Sequence, residues 1–515
     1  MSRIHLDSSG ENFRRCHPGR AFSLRPALPG RFGQRTFLRH CFWLCGCHYR
    51  QNKQVVKTSP PGVAFADGSQ SPGRRAWGPA FAGMTWVMAV CQAGGPAPKP
   101  EGTPARRSRY ATISGHMRVR HISLTNFRLY ARLESPLPAG PLILVGANAQ
   151  GKTSLLEALY YLATAQSHHA TSDRQLIHFL ALDEAQPFAR IVAEAATRSE
   201  ILRIEIRLIL DSAVEGRLRK EVLINGARKR VTDLAGRLNV VLFLPQDMAV
   251  VEGAPAERRR YLDLALAQVD AAYHFALGEY AKVLSQRNAL LKQLQERGGD
   301  PDQLDFWDGK LCELAGVLMA ARIAALAELE ALASPLHRDL TAGRDGLRLA
   351  YHPAFDPVRA PDGQLGLPLQ VPVHQVGLSA ADIEARLREK LRASRADEIA
   401  RGATLYGPHR DELRFVANGV DLGTYGSRGQ ARTAVLALKL AETAWMRARS
   451  GEWPVLLLDE VLAELDANRR RDLLQRLDGA EQCVMTTTDL NLFPDDFRRQ
   501  ATVWRIQDGR VLPQK

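Results

Sequence analysis

From residue 117 onward, apolar positions recur at a step of two in some stretches and at three or four in others. Residues 119–125 set Ile122 and Leu124 against polar neighbours, an alternation that predicts a half-buried strand. Residues 142–146 form a short unbroken apolar run, which predicts a buried strand, and 152–163 then show helical spacing. Two more strands are predicted at 190–196 and Ile201–Leu210. Another covers 221–225 and turns at Asn225-Gly226, a pair that tolerates the positive φ angles of a tight hairpin. Residues 240–244 make a short apolar strand ending in Pro245-Gln246.

From residue 256 to about 340 the helical period takes over. Gly298-Gly299-Asp300-Pro301 breaks it into two helices of about 40 residues, roughly 60 Å each at the helical rise. Residues 344–369 are rich in Pro and Gly and read as a loop, and 379–400 are helical again. A strand at Glu412–Ala417, a helix at 427–447, a strand at Val455–Asp459, a helix at 466–477 and strands at 482–486 and 502–506 complete the pattern. Strands alternate with helices at both ends, and helices fill the middle. That order predicts an α/β head split by a mainly helical insertion lobe. The expected parts are 117–255 for the first half of the head, 256–400 for the insertion and 401–515 for the second half.

Composition changes this picture mainly before residue 117. The 515 residues are 45% hydrophobic, enough for two or three domains, and no apolar run reaches the length of a membrane span. A net charge of +14 invites a nucleic-acid partner. Residues 1–116, however, carry 17 Lys and Arg against 4 Asp and Glu, which leaves the rest of the chain at +1. Any basic surface on the main body must therefore come from local patches. The first 116 residues also hold five of the seven cysteines. Cys41, Cys45, Cys47 and His48 do not match the paired spacing of structural zinc sites. This extension reads as a disordered arm or, better, as spurious upstream sequence ahead of a natural start at Met117. The remaining Cys312 and Cys483 are far apart, as expected of a reduced, cytoplasmic protein.

The chemistry is concentrated in a few short stretches. Gly146, Ala147, Asn148, Ala149, Gln150, Gly151, Lys152 and Thr153 form a complete G-x-x-x-x-G-K-T loop between an apolar strand and a helix. Backbone N–H groups of such a loop, with the helix N-terminus and Ser154 behind it, cradle phosphates. Lys152 is expected on the β- and γ-phosphates, and Thr153 on Mg²⁺. "VLLLDE" at 455–460 ends a buried strand in two carboxylates. Asp459 is expected to hold Mg²⁺, and Glu460 to activate the attacking water.

"YGSRGQARTAVLALKLAE" places Ser427, Arg428, Gly429 and Gln430 just before a long helix, 32 residues ahead of Asp459. It resembles the signature of the ABC-type P-loop ATPases. That resemblance implies that Ser427 and the helix N-terminus contact the γ-phosphate held by a second subunit, as a Ser-capped helix end can. By the same resemblance, Gln246 senses Mg²⁺ and the attacking water, and Asp466 in "AELD" lies at a dimer seam. Where a switch His is common, "VMTTTDL" has Thr instead, with Thr488 nearest, which suggests slow ATP hydrolysis that leans on Glu460.

The 274 residues between Thr153 and Ser427 are too many for a transporter subunit and too few for a long coiled-coil arm. "VRHISLTNFRLY", "LPQDMAVVEGAPAERRRYLD" and "LYGPHRDEL" resemble the RecF family, and the likeness spans essentially 117–515. "QSHHATSDRQLI" carries Arg174 where the family tends to hold an arginine-bearing loop. The resemblance implies a homodimer formed on ATP, bound to double-stranded DNA at gaps, working with a RecR-type mediator to load RecA. Among basic residues, Arg228, Lys229 and Arg230 beside the hairpin, with Arg217, Arg219 and Lys220, and Arg258, Arg259 and Arg260 at the start of the insertion, are candidates for phosphate contact. They equally suit a solvated charged face. His409 and Arg410 in a Gly-Pro turn suggest a structural or nucleotide-sensing role. Two other readings stand beside this one: an ATPase subunit energising a membrane partner, and a nuclease-coupled ATPase, which would need a further acidic metal domain in a chain that runs only 56 residues past Asp459.

Overall fold

A computed structural model describes residues 117–211, 217–358 and 377–513. The expectations for 1–116, including the cysteine cluster, lie outside the described residues. Strands β1 (Arg118–Phe127), β2 (Tyr130–Pro136) and β3 (Gly140–Val145) lead into helix α1 (Lys152–Thr164). Strands β4 (Phe188–Ala196), β5 (Ile201–Leu210), β6 (Leu218–Ile224), β7 (Ala227–Lys229) and β8 (Val240–Phe243) follow. Helices α2 (Ala249–Glu252), α3 (Pro255–Val269), α4 (Ala271–Arg297) and α5 (Leu304–Leu340) begin the insertion. Strand β9 (Leu347–His352) and helices α6 (Ala380–Ala393) and α7 (Arg395–Arg401) continue it. The chain then runs through β10 (Glu412–Ala417), β11 (Val420–Asp421), α8 (Leu422–Tyr425), α9 (Arg428–Ser450), β12 (Val455–Asp459), α10 (Ala467–Leu477) and β13 (Gln482–Thr487). It finishes with α11 (Asp495–Gln500), β14 (Thr502–Gln507) and β15 (Arg510–Pro513).

Two six-stranded sheets form the head. One is antiparallel, in the order β2-β1-β4-β5-β6-β7; the other is mainly parallel, in the order β15-β14-β3-β13-β12-β8. The parallel sheet is buried on both faces, and its two-residue alternation divides its side chains between two cores. Leu142, Leu144, Val240, Leu242, Val455, Leu457 and Val484 face the core shared with the antiparallel sheet and α1. Ile143, Val241, Phe243, Leu456, Leu458 and Met485 face the core of α3, α5, α6 and α9. Gln482, fully buried, joins the sheets: it accepts from Val119 N (2.8 Å) and donates to the carbonyls of Val119 and Pro138 (2.8 Å each). Burying an amide without these partners would cost about 1–3 kcal/mol.

Three features of the insertion differ from the sequence pattern. The first long helix is two, because Asp270 leaves helical geometry and caps α4 through Tyr273 N (2.9 Å). Its apolar spacing hides the break, since an N-cap changes backbone direction without disturbing the periodicity. The 344–369 stretch, read as loop, contains β9, which pairs along β10 in a separate three-stranded sheet, β11-β10-β9. The 379–400 helix is split at Ser394 into α6 and α7. Helix α9 lies along α5, tied by Glu328 to Trp445 Nε1 (2.7 Å) and Arg449 (2.6 Å), so α9 shares the insertion's core. Among the described residues no helix is long and apolar enough to cross a membrane.

Candidate nucleotide site

The C-terminal ends of β3, β13, β12 and β8 share one edge of the parallel sheet, where open α/β sheets bind ligands. The 146–153 loop leaves β3 there. Gly146 sits against β14, where a Cβ would come within 2.3 Å of the Ile506 carbonyl. Gly151 has φ +107°, a conformation that L side chains rarely adopt, and it packs under Tyr130, whose hydroxyl donates to its carbonyl (3.0 Å). Gln150 is turned away from the loop's mouth: its side chain accepts from Asp508 N (2.8 Å), bracing the loop against the β14–β15 turn. Ala147, Asn148 and Ala149 are exposed at the tip. The first backbone bond of α1 is Leu155 N to Gly151 O (3.1 Å), so the N–H groups ahead of it have no carbonyl one helical turn back. Such N–H groups at the start of a helix are donors of the kind that suit an anion, and Ser154 lies in the same first turn.

The other half arrives from β12 and β13. Thr153 Oγ1 stands 2.9 Å from both oxygens of Asp459. Lys152 Nζ bonds the carbonyls of Gly146 (2.8 Å) and Ala147 (3.0 Å) and ion-pairs with Glu460 (3.2 Å). Thr486, at the end of β13, was not singled out by the sequence. It donates to Asp459 Oδ1 (2.7 Å) and accepts from Glu460 N (2.9 Å). Only the "TTT" run hinted at it, and the sequence favoured Thr488, which is exposed at the same edge. Glu460 has φ +54°, a strained backbone for a residue with a side chain. Gln246 is exposed past the end of β8, the neighbour of β12.

Ser427 caps α9: its hydroxyl accepts from Gln430 N (3.2 Å), and Gln430 Oε1 accepts from Ser427 N (3.0 Å). Ser427, Arg428, Gly429 and Gln430 are all exposed. Helix α9 belongs to the core on one face of the parallel sheet, and α1 to the core on the other. Asp466 caps α10 through Asn468 N (3.1 Å) and Arg469 N (3.0 Å). Its bond from Arg469 N, more than any other influence, holds its carboxyl below the usual range.

The basic candidates separate by environment. Arg228 and Arg230 are exposed beside Glu221 (2.9 Å) and Asp233 (3.3 Å), and Lys229 is exposed between them. Arg258 is turned inward, onto Glu412 (2.7 Å) and the carbonyls of Val251 and Gly253. Arg259 donates to Asp411 O (2.8 Å), Arg260 to Ser167 O (2.6 Å), and Lys220 pairs with Asp173 (2.8 Å). Arg258 and Arg259 are thus half-buried braces to neighbouring elements, while Arg260 stays exposed beside its bond. Arg174 is exposed in the turn Asp173–Leu176 after α1.

On the outer face of the antiparallel sheet, Arg190, Arg203 and Arg207 surround Glu205, while Arg207, Arg219 and Arg228 surround Glu221. Burial would raise the Glu205 carboxyl, but Arg190 and Arg207 hold it at about 2. The sequence signal was the two-residue step Arg203-x-Glu205-x-Arg207, which puts all three on one face. His409 donates or accepts at Tyr280 Oη (2.7 Å), and burial lowers it to about 4, which suits a structural position.

The sequence pattern of the RecF/RecN/SMC N terminal domain family matches residues 118–508. The DNA replication and repair protein RecF of Chloroflexus aurantiacus is 43% identical over 407 residues, covering 77% of this chain and 100% of its own. RecF of Bacillus subtilis is 36% identical over 397 residues, with 77% and 100% covered. A solved structure of the recombination mediator protein RecF-ATP in the RecFOR pathway superimposes with a TM-score of 0.64 at 28% identity, covering 78% of this chain and 100% of that one.

Proposed function

The chain belongs to the RecF family, and on that premise we propose that it is an ATP-gated protein of DNA repair and replication that closes on duplex DNA as a two-fold homodimer. One observation carries the reading: α1 and the Ser427-capped α9 lie on opposite faces of one parallel sheet. In this reading the Ser427 end of α9 reaches the phosphate loop of a second chain, each chain giving its loop to the other's signature, and such a reciprocal arrangement closes with two-fold symmetry.

In this reading the loop N–H groups and Lys152 hold the ATP phosphates. The hydroxyl of Thr153 and the carboxylate of Asp459 form an oxygen pair suited to Mg²⁺, a hard cation that screens phosphate charge when bound. Glu460 is the base for water, Gln246 reports on the site, and Ser427, Arg428, Gly429 and Gln430 reach the partner's nucleotide with Asp466 at the seam. Hydrolysis is slow and resets the dimer. A RecR-type mediator and RecA loading complete the proposal. Lys152→Ala removes a charged donor, worth about 1.5–3 kcal/mol per bond. MgATP affinity should fall at least about tenfold, and sedimentation velocity should show no dimer at ATP levels that dimerise wild type. A dimer at wild-type ATP levels would sink the site assignment.

For DNA, the arginine-covered outer face of the antiparallel sheet, continuing to Arg228, Lys229 and Arg230, is the proposed backbone-tracking surface. Arg219→Ala with Arg228→Ala should weaken duplex binding without regard to sequence and lower the log–log salt slope by about 2. An unchanged slope would move the DNA elsewhere on the protein.

A further inference from the structure

Residues 256–263 in α3 and 407–409 before β10 supply no group to the nucleotide site described above. They meet around a cavity of about 360 Å³, walled also by the end of α1, by α4 and by α5. Helix α1 starts at Lys152 and ends at Thr164 in the cavity wall, roughly 18 Å away at the helical rise, so this space is separate from the phosphate loop. Its volume is in the range of small-molecule sites. Leu264, Leu277, Leu284 and Leu318 give it an apolar wall.

The polar lining is unequally satisfied. Arg322 ion-pairs with Asp263 (2.7 Å) and donates to Pro408 O (2.7 Å), so those two charges are answered within the protein. His409 is bonded to Tyr280 Oη (2.7 Å). Arg259 and Arg260 each give one N–H to a carbonyl, of Asp411 and Ser167, and among the described residues neither has a carboxylate within ion-pair distance. Burial and then the nearby Arg322 charge hold the Arg259 guanidinium below its ordinary pKa, and an anion beside it would offset both. From Arg260 to Ala267 the α3 wall runs roughly 10 Å. Past its end, His274 lies in the first turn of α4, held by its backbone N to Asp270 O (3.0 Å). Its Nδ1 is buried with no partner, and burial lowers its pKa, which favours a neutral ring. A buried polar atom left in this way costs about 1–3 kcal/mol until a ligand or water meets it.

We propose that this cavity is a second ligand site, for a nucleoside monophosphate. Arg259 and Arg260 take the phosphate, the leucine wall takes the base, and His274 Nδ1 meets a polar edge of the base. Two sources offer this chemistry: a free nucleotide, and the 5′-phosphorylated end of a DNA strand. The site does not depend on the ATP-driven dimer proposed above.

The test is equilibrium dialysis of radiolabelled AMP against the full-length chain carrying Lys152→Ala, which weakens the loop site. This parent should bind AMP with a Kd at or below about 1 mM. Adding Arg260→Gln removes an exposed charge, and adding Ala267→Phe fills the cavity from a half-buried position. Each should weaken AMP at least about tenfold, with the thermal midpoint checked for both. Inorganic phosphate should bind at least about tenfold more weakly than AMP, since it leaves the apolar wall unused. No AMP on the parent overturns the proposal. So does AMP binding unchanged in both variants, or phosphate binding as tightly as AMP. A 5′-phosphorylated tetranucleotide and its unphosphorylated counterpart then compete for the site. Displacement by the phosphorylated strand alone assigns the site to a strand end, and displacement by neither assigns it to free nucleotide. Displacement by both equally overturns the role of Arg259 and Arg260 as the phosphate clamp. Dimer formation with ATP is a separate readout, so either reading can fail without the other.

Discussion

Glu460→Gln should slow ATP turnover by about 10²–10⁴-fold, the usual contribution of a positioned general base. The substitution keeps the shape and removes the carboxylate that faces Lys152 at 3.2 Å. Nucleotide binding should survive, because the loop, Thr153 and Asp459 are untouched and Lys152 keeps its bonds to Gly146 and Ala147. ATP-bound dimer should therefore accumulate where wild type cycles. Steady-state phosphate release together with a sedimentation profile reads both effects. Turnover within about threefold of wild type would remove Glu460 from the role of base, since losing a general base costs at least about a hundredfold.

The second large effect is on stability. Arg287→Ala should destabilise the insertion by about 3–5 kcal/mol, the cost of breaking a buried ion pair from one side. Arg287 is fully buried between α4, α5 and α7. It binds Asp308 (2.7 Å), Glu398 (2.7 Å) and Thr404 Oγ1 (2.8 Å). Removing it leaves Glu398, also fully buried, with only Leu405 N at 2.8 Å for its charge, while Asp308 keeps Arg395 at 3.0 Å. Urea unfolding followed by tryptophan fluorescence should show the loss. Because α1 and the phosphate loop belong to the other core, MgATP binding should persist below the transition. A midpoint equal to that of wild type would mean that water or rearranged neighbours satisfy both carboxylates.

Much of the architecture was legible because periodicity and burial agree. Strands such as β12 and β10 sit where the apolar runs lie, and α9 starts one residue after Ser427, whose side chain caps it. The sequence missed β11 and β15, although each follows the same kind of signal that marked Asn225-Gly226. Asn418-Gly419 and Asp508-Gly509 also turn with both φ angles positive. Strand β9 was hidden by the surrounding Pro and Gly, and its partner β10 lies far along the chain. Within the site, the loop and the Asp459-Glu460 pair were visible because that chemistry demands fixed residues at short spacing. Thr486, Tyr130 and the bracing role of Gln150 were not, since each acts through contacts across strands that are distant in sequence. Arg258 looked like surface charge for the same reason: Glu412, which takes it up, lies 154 residues away.

The gating of DNA binding by ATP is tested most directly by fluorescence anisotropy of a labelled gapped duplex titrated with the full-length Glu460→Gln chain, with and without ATP and Mg²⁺, at fixed salt. A gated clamp predicts markedly tighter binding with ATP, and loss of that gain when Lys152→Ala is added. Equal binding in both states, with MgATP shown to be bound, would contradict it.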